Sequence, residues 1–293
     1  MKSIIFSFHD NESLCESITV GINGKKGKIE IRQFPDGETY VRVLSDVNEK
    51  NIFIICTLNQ PDTKLLALLF LCNLLRDLNA KSICLVAPYL AYMRQDKEFN
   101  PGEALTSQYF AKLLSSLVDR LITIDPHLHR RVSMKEIYSI PCDVLHASEL
   151  ISEWIKKNVS KAMIIGPDIE SEQWVSKVAK SANVPFIVLQ KNRHSDRVVE
   201  ISIPKIEKYK DYIPVLVDDI ISTAHTMIET VLHLKKAGMK TPVCIGVHAV
   251  FAENSYKELE KTGISKIITC NTIQHFSNEI DISNLLIKEI CKL

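Results

Sequence analysis

The sequence has no excess of charge of either sign: 36 Lys and Arg stand against 35 Asp and Glu. So even a balance gives no sign of a nucleic-acid-binding or membrane-binding surface, and any anionic partner must be met by local basic groups. Long hydrophobic runs are missing too. The longest mostly apolar stretch, Leu65–Leu75, is too short to cross a bilayer and is flanked by Lys64 and Arg76. Met1–Asp10 has neither the length nor the small-residue cleavage site of a secretion signal, and a cytoplasmic protein is expected. The eight cysteines include no C-x-x-C pair or other zinc spacing. Most lie in apolar runs, as Cys84 does in Ile83–Val86, which suits buried thiols in a reducing compartment. Low-complexity linkers and a residue-level repeat are also absent.

What is present is a core. Hydrophobic residues make up 46% of 293 positions, enough for two domains. Short apolar runs alternate with helical patterns. Strands are expected at Ile52–Thr57, Ile83–Ala87, Leu121–Asp125, Met163–Gly166, Phe186–Gln190, Pro214–Asp218, Val243–His248 and Ile267–Cys270. Helices are expected around Lys64–Leu78, Ala104–Leu117, Ser148–Lys157, Glu170–Ala182, Met227–Ala237 and Ser255–Thr262. Such alternation predicts an α/β protein, with mainly parallel sheets covered by helices and ligands beyond the carboxyl ends of the strands. The quietest boundary, Pro141–Ser148, divides the chain into 1–147 and 148–293.

The chain is organised around Val215–Thr226. An apolar strand is followed by Asp218 and Asp219, then by the hydroxyls of Ser222, Thr223 and Thr226. A helical pattern through Met227, Val231 and Leu234 then runs to Gly238. The start of a helix offers unpaired N–H groups and a positive dipole end, so it can hold a phosphate. Paired carboxylates can accept from two sugar hydroxyls or hold hydrated Mg²⁺. Together they suit a ribose phosphate, against the plainer alternative of a strand ending in a helix cap.

Four more constellations sit at expected strand ends or turns. Phe34–Glu38 reads as a turn, with Pro35 and Gly37 bracketing Asp36. Pro88–Lys97 carries Arg94 and Lys97, which can pair with phosphates, and Tyr89 and Tyr92, which can stack on a base; an ordinary basic loop fits equally. Asp125–His129 places His127 and His129 two apart, able to face one way in extended chain. Asp168 precedes a helix, where Asp is also a favoured cap.

In this order the motifs resemble those of the ribose-phosphate pyrophosphokinase (phosphoribosyl diphosphate synthetase) family, from Phe34 to about Thr272. The Phe-x-Asp-Gly-Glu and Tyr-x-Arg-Gln-Asp elements distinguish it from ordinary phosphoribosyltransferases. The resemblance implies two phosphoribosyltransferase-like domains, each a mainly parallel sheet flanked by helices. It implies Mg²⁺, ATP and ribose 5-phosphate, and no nucleic acid or membrane. Phe34, Asp36 and Glu38 would reach ATP in a neighbouring subunit, which implies a homo-oligomer of at least two chains. Arg94, Gln95 and Asp96 would bind ATP, while His127 and Asp168 would serve the metal–phosphate site. Asp218, Asp219, Ser222, Thr223, Ala224, His225 and Thr226 would bind ribose 5-phosphate. Lys191 and Arg193, matching a Lys-x-Arg pair on a mobile loop, would be catalytic. Phe99–Glu103 and the lack of a long C-terminal extension are similar to the short archaeal-type members. Ala224 and His225 stand where the family has two glycines, and Glu170 and Ser171 where many relatives have Gly-Gly or Gly-Ala. Position 224 is expected at negative φ, with His225 pointing outward. A silent regulatory subunit and a phosphoribosyltransferase stay open as alternatives.

Overall fold

The computed structural model describes residues 3–167, 171–195, 198–202 and 206–293, and for residues 173, 190–195, 198–202, 206 and 207 the backbone alone. The chain forms two compact units, Met1–Leu145 with Ser283–Leu293, and His146–Ile282.

In the first unit the elements run β1 (Ile4–Ser7), α1 (Glu12–Gly21), β2 (Lys25–Lys26), β3 (Ile29–Gln33), β4 (Thr39–Val43), β5 (Asn51–Ile55), α2 (Asp62–Asp77), β6 (Ser82–Ala87), α3 (Thr106–Leu117), β7 (Arg120–Ile124) and β8 (Cys142–Leu145). The second contains α4 (Ser148–Asn158), β9 (Ala162–Gly166), α5 (Glu172–Ala182), β10 (Phe186–Val188), β11 (Gln190–Ser195), β12 (Val198–Ser202), β13 (Ile213–Ile221), α6 (His225–Lys236), β14 (Val243–Ala249), α7 (Ser255–Lys261), β15 (Lys266–Cys270) and β16 (Asn278–Ile280). A last helix, α8 (Ser283–Ile290), belongs to the first unit.

The main sheets are parallel throughout, in the orders β2-β1-β5-β6-β7-β8 and β10-β9-β13-β14-β15-β16. Their central strands are apolar on both faces, as helix-covered parallel strands must be; Ile52–Ile55, Val215–Val217 and Val243–Ala249 are buried. Each unit also carries an antiparallel ribbon at the same place in its strand sequence, β3 with β4 and β11 with β12. The two topologies are therefore one plan used twice, although no residue-level repeat is visible in the sequence.

The helices break the symmetry of chain order. Helix α4 follows the first unit's last strand but packs on α5 in the second unit. Helix α8 follows the second unit's last strand but packs on α1 in the first. The contact with α8 is close: a Cβ on Gly21 would lie 2.4 Å from Ile287 Cδ1. Residues 283–293, expected with the second domain, thus complete the first.

Candidate active site

In both sheets the strand order reverses direction at one point, between β9 and β13 in the second unit. Ligands gather at such a point because the loops on either side diverge. The loop after β13 is the one rich in carboxylates and hydroxyls. Strand β13 is longer than its apolar run suggests, and its ladder to β14 continues through Asp218–Gly246 to Ile221–Ala249. Asp218 and Asp219 are therefore strand residues, half-buried, with the Asp219 N–H donating to Asp218 Oδ1 at 3.0 Å.

Ser222 is half-buried, Thr223 exposed and Thr226 half-buried, with His225 exposed as the first residue of α6. The start of α6 has no side-chain cap and no acidic residue in its first turn, so its first N–H groups and positive dipole end suit an anion. Ala224 is the N-cap, and it sits at φ 57°, ψ 4°. This overturns the expected negative φ. Left-handed Ala costs about 1–2 kcal/mol, and what offsets it here is burial: Ala224 is 7% exposed and its methyl joins the second unit's core with Met227 and Val231. The loop keeps the conformation that glycine would supply most easily.

A second segment, not expected from the sequence, supports this loop. After β14, the Phe251 N–H donates to Ile221 O at 2.8 Å and the Ala252 N–H to Ser222 O at 3.1 Å. Phe251 is itself left-handed at φ 37°. Its ring lies 5.2 Å from Tyr256 and 4.7 Å from His275. The His275 Nδ1 accepts from the Ser277 N–H at 3.2 Å, and burial lowers the imidazole pKa. The signal that could have found this segment is its position: it follows the strand next to β13.

Asp168 and Glu170 lie outside the described residues. Lys191 and Arg193 were expected on a loop, but their backbone belongs to β11, opposite Ile201 and Val199 of β12. Val198, Val199 and Ile201 are β-branched, which favours the extended pairing.

In the first unit, Phe34 is the tip of the β3–β4 ribbon. The Gly37 N–H closes a β-turn onto Phe34 O at 2.9 Å, and Gly37 at φ 92° makes the bulge that returns the chain. Asp36 and Glu38 are exposed beside it, and Phe34 is 40% exposed. The Arg32 guanidinium stacks over Phe34 at 4.8 Å and over Tyr40 at 4.2 Å.

The loop after β6 sorts its residues by what already holds them. Arg94 is exposed. Gln95 donates to Glu103 Oε2 at 3.1 Å. The Asp96 carboxylate is 3% exposed and is gripped by Arg130 at 3.0 Å, so Asp96 braces the loop against the segment after β7. Tyr92 gives its hydroxyl to Asp62 and its ring to Phe110 at 4.7 Å; this hydrogen bond raises its pKa, and neither group is left to stack on a base. After β7, the His127 N–H bonds Asp125 O at 2.9 Å across Pro126, whose fixed φ suits the centre of an inverse γ-turn. The rings of His127 and His129 come within 4.0 Å. Asp125 at φ 39° and His127 at φ 34° join Tyr92, Ala224 and Phe251 as left-handed residues just past strand carboxyl ends, where strain tends to accompany function.

The comparisons agree with this arrangement. Residues 3–117 match the N-terminal domain of ribose phosphate pyrophosphokinase, and residues 133–283 match the phosphoribosyl transferase domain. The ribose-phosphate pyrophosphokinase of Sulfurisphaera tokodaii is 30% identical over 274 residues, 90% of this chain and 91% of the relative. That of Saccharolobus solfataricus is 32% identical over 253 residues, 84% of each. The crystal structure of phosphoribosylpyrophosphate synthetase from Mycobacterium smegmatis has the same fold, with a TM-score of 0.87 over 99% of this chain and 98% of that one, at 22% identity. No helix among the described residues is long and apolar enough to cross a membrane. The motif order, the doubled topology and identity sustained over most of the chain lead to one assignment: this protein belongs to the ribose-phosphate pyrophosphokinase family.

Proposed function

We propose that the chain transfers the β,γ-diphosphoryl group of ATP to O1 of ribose 5-phosphate, giving phosphoribosyl diphosphate and AMP. The observation that carries this reading is the uncapped start of α6 beside Asp218 and Asp219, in a chain whose relatives are ribose-phosphate pyrophosphokinases. The 5-phosphate sits on the N–H groups of Ala224–Thr226 and the hydroxyls of Ser222, Thr223 and Thr226. Asp218 and Asp219 accept from the ribose hydroxyls, which orients the anomeric oxygen.

That oxygen attacks the β-phosphorus. The O1–Pβ bond forms, the bond from Pβ to the α-phosphate oxygen breaks, and AMP departs with that oxygen. No covalent intermediate on the protein is required. Both substrates are polyanions, so positioning and cation clamping carry the catalysis. Lys191 and Arg193 neutralise phosphoryl oxygens as charge spreads over them. Arg94 and Gln95 bind the nucleotide, and Asp96 fixes their loop through Arg130. His127 donates to the phosphates. Phe34, Asp36 and Glu38 serve the adenine of a neighbouring subunit, so the working form is at least a dimer, in the cytoplasm, with no nucleic-acid or membrane partner.

Bound Mg²⁺ supplies charge neutralisation at the triphosphate. The oxygens of Asp218 and Asp219 fit that hard cation, and Asp168 would add another carboxylate; the imidazole nitrogen of His127 suits it less well than it suits a phosphate.

Incubation with Mg-ATP and ribose 5-phosphate, followed by ³¹P NMR, tests the proposal. AMP and phosphoribosyl diphosphate are expected in equal amounts. Release of ADP would make the protein a simple kinase, and a folded protein without turnover would be a regulatory subunit. Because Ala224 keeps the left-handed loop conformation, the departure from glycine gives no support to the silent alternative.

A further inference from the structure

The second sheet has a second site-like feature at its other end. Strands β13, β14 and β15 begin at Ile213, Val243 and Lys266. Around these amino ends lies an open cleft of about 640 Å³, walled on one side by Trp154 of α4. Ile213 precedes Asp218 by five residues of β13, so the cleft lies roughly 16–17 Å along the strand from Asp218 and farther from Ser222–Thr226. It shares no residue with the proposed catalytic machinery.

Its lining has a consistent chemistry. Ile213 and Val243 contribute an apolar floor. The charged side chains in the lining are two lysines, Lys240 and Lys266, and no carboxylate lines it. The Lys240 ammonium donates to Asp211 O at 2.7 Å, and that of Lys266 pairs with Glu279 at 2.6 Å. An ammonium has three donors, so each keeps others for a ligand. Glu279 also accepts from the Trp154 indole N–H at 3.3 Å, which sets the orientation of the ring, and the Lys266 ammonium lies 5.7 Å from its centre. One edge-strand carboxylate thus fixes both an aromatic face and a cation at one wall. The volume falls in the range of small-molecule sites.

We propose that this cleft binds a small anion carrying a planar ring, with the ring stacked on Trp154 and the anionic group held by Lys240 and Lys266. Nucleoside monophosphates and aromatic carboxylates share that chemistry. The inference does not rest on the reaction proposed above.

The test is saturation-transfer NMR and fluorescence titration of the intact chain with three probes: UMP, 1-naphthoate and inorganic phosphate. At least one ring-bearing probe should bind saturably, and phosphate alone should bind more weakly. Saturation by UMP alone identifies a nucleotide site, and by 1-naphthoate alone an aromatic carboxylate site. Trp154→Leu should weaken binding roughly tenfold, as loss of a stacking platform does. The double variant Lys240→Gln/Lys266→Gln should weaken it similarly while leaving turnover unchanged. If Trp154→Leu does not fold, Lys240→Gln alone serves, since Lys240 is exposed and its ammonium bonds an exposed residue's carbonyl. Absence of saturable binding of either ring probe at millimolar concentration would overturn the proposal. So would equal binding to wild type and lysine variants.

Discussion

The two units share a topology and use its reversal point in opposite ways. In the first unit that point lies between β1 and β5, and the protein fills it with its own side chains. The Lys64 ammonium donates to Asp10, to Thr57 O at 2.7 Å and to Asn59 Oδ1 at 2.7 Å, which uses all three of its protons. Asn11 closes the rest: its carbonyl accepts from the Thr57 N–H at 2.8 Å, and its amide donates to the Thr57 hydroxyl at 2.8 Å. In the second unit the matching strand end presents Asp218, Asp219 and an uncapped helix. Its polar groups stay half-exposed. The first unit instead carries its candidate chemistry at the ends of β6 and β7 and on its ribbon. A doubled fold has thus filled one reversal point with its own side chains and left the other as a candidate site.

The largest effect that can break this comparison concerns the ribbons. Lys191→Ala and Arg193→Ala on β11 should each lower kcat by roughly 10²–10³ with little change in KM, because the cations act on charge that develops in the transition state. Phe34→Ala on the first ribbon should instead raise KM for ATP and spare kcat. Steady-state kinetics with either substrate varied would show it, and a near wild-type kcat for the β11 variants would remove their catalytic role.

Next is the plugged reversal point. Lys64→Met leaves Asp10 and two carbonyl groups without their cation, and should lower the unfolding free energy by about 2–3 kcal/mol in urea titration. Its kinetic constants should stay within about twofold of wild type. Asp218→Asn should do the reverse, raising KM for ribose 5-phosphate with little change in urea midpoint.

The segment after β14 comes third. Phe251→Ala removes the ring that fixes two N–H donors to Ile221 and Ser222. KM for ribose 5-phosphate should rise several-fold, roughly 1 kcal/mol, while KM for ATP holds. Equal shifts for both substrates would make Phe251 merely a core residue.

Smaller still is Ala224→Gly. Relief of about 1–2 kcal/mol of left-handed strain is nearly offset by the lost methyl burial and the greater freedom of unfolded glycine. The melting temperature should move by only a few degrees, and kcat should stay within about twofold.

The smallest effect is on pH. Burial holds the His275 imidazole below its ordinary 6.5, so the unfolded chain binds the proton first as pH falls. The stability contributed by the neutral ring is complete above about 6.5 and declines below it. His275→Gln should flatten that part of the melting-temperature profile.

Much of this was legible in the sequence because parallel strands buried on both faces read as unbroken apolar runs. Ile83–Ala87 and Val243–His248 fall within a residue or so of the strands found. What escaped notice was amphipathic or paired at a distance. The first ribbon has no buried residue, and the existence of each ribbon depends on a partner strand. Strand β13 runs past its apolar residues because β14 holds its ladder through Ile221. Ala224 departs from the expected negative φ because the burial of its methyl with Met227 and Val231 is a tertiary contact that the local sequence does not show. The Asp36–Gly37 turn needed no such context, since Pro35 and Gly37 specify it locally.

The exchanged helices set a condition on how the chain is made. Residues 1–145 leave the ribosome first, yet α1 lacks its packing partner until Ser283–Leu293 has been synthesised. Gly21 keeps an opening for Ile287, which is added 266 residues later by position (287 − 21). Completion of the first unit therefore waits for the synthesis of α8, and a nascent chain stalled anywhere before it presents an uncovered apolar face to chaperones and proteases.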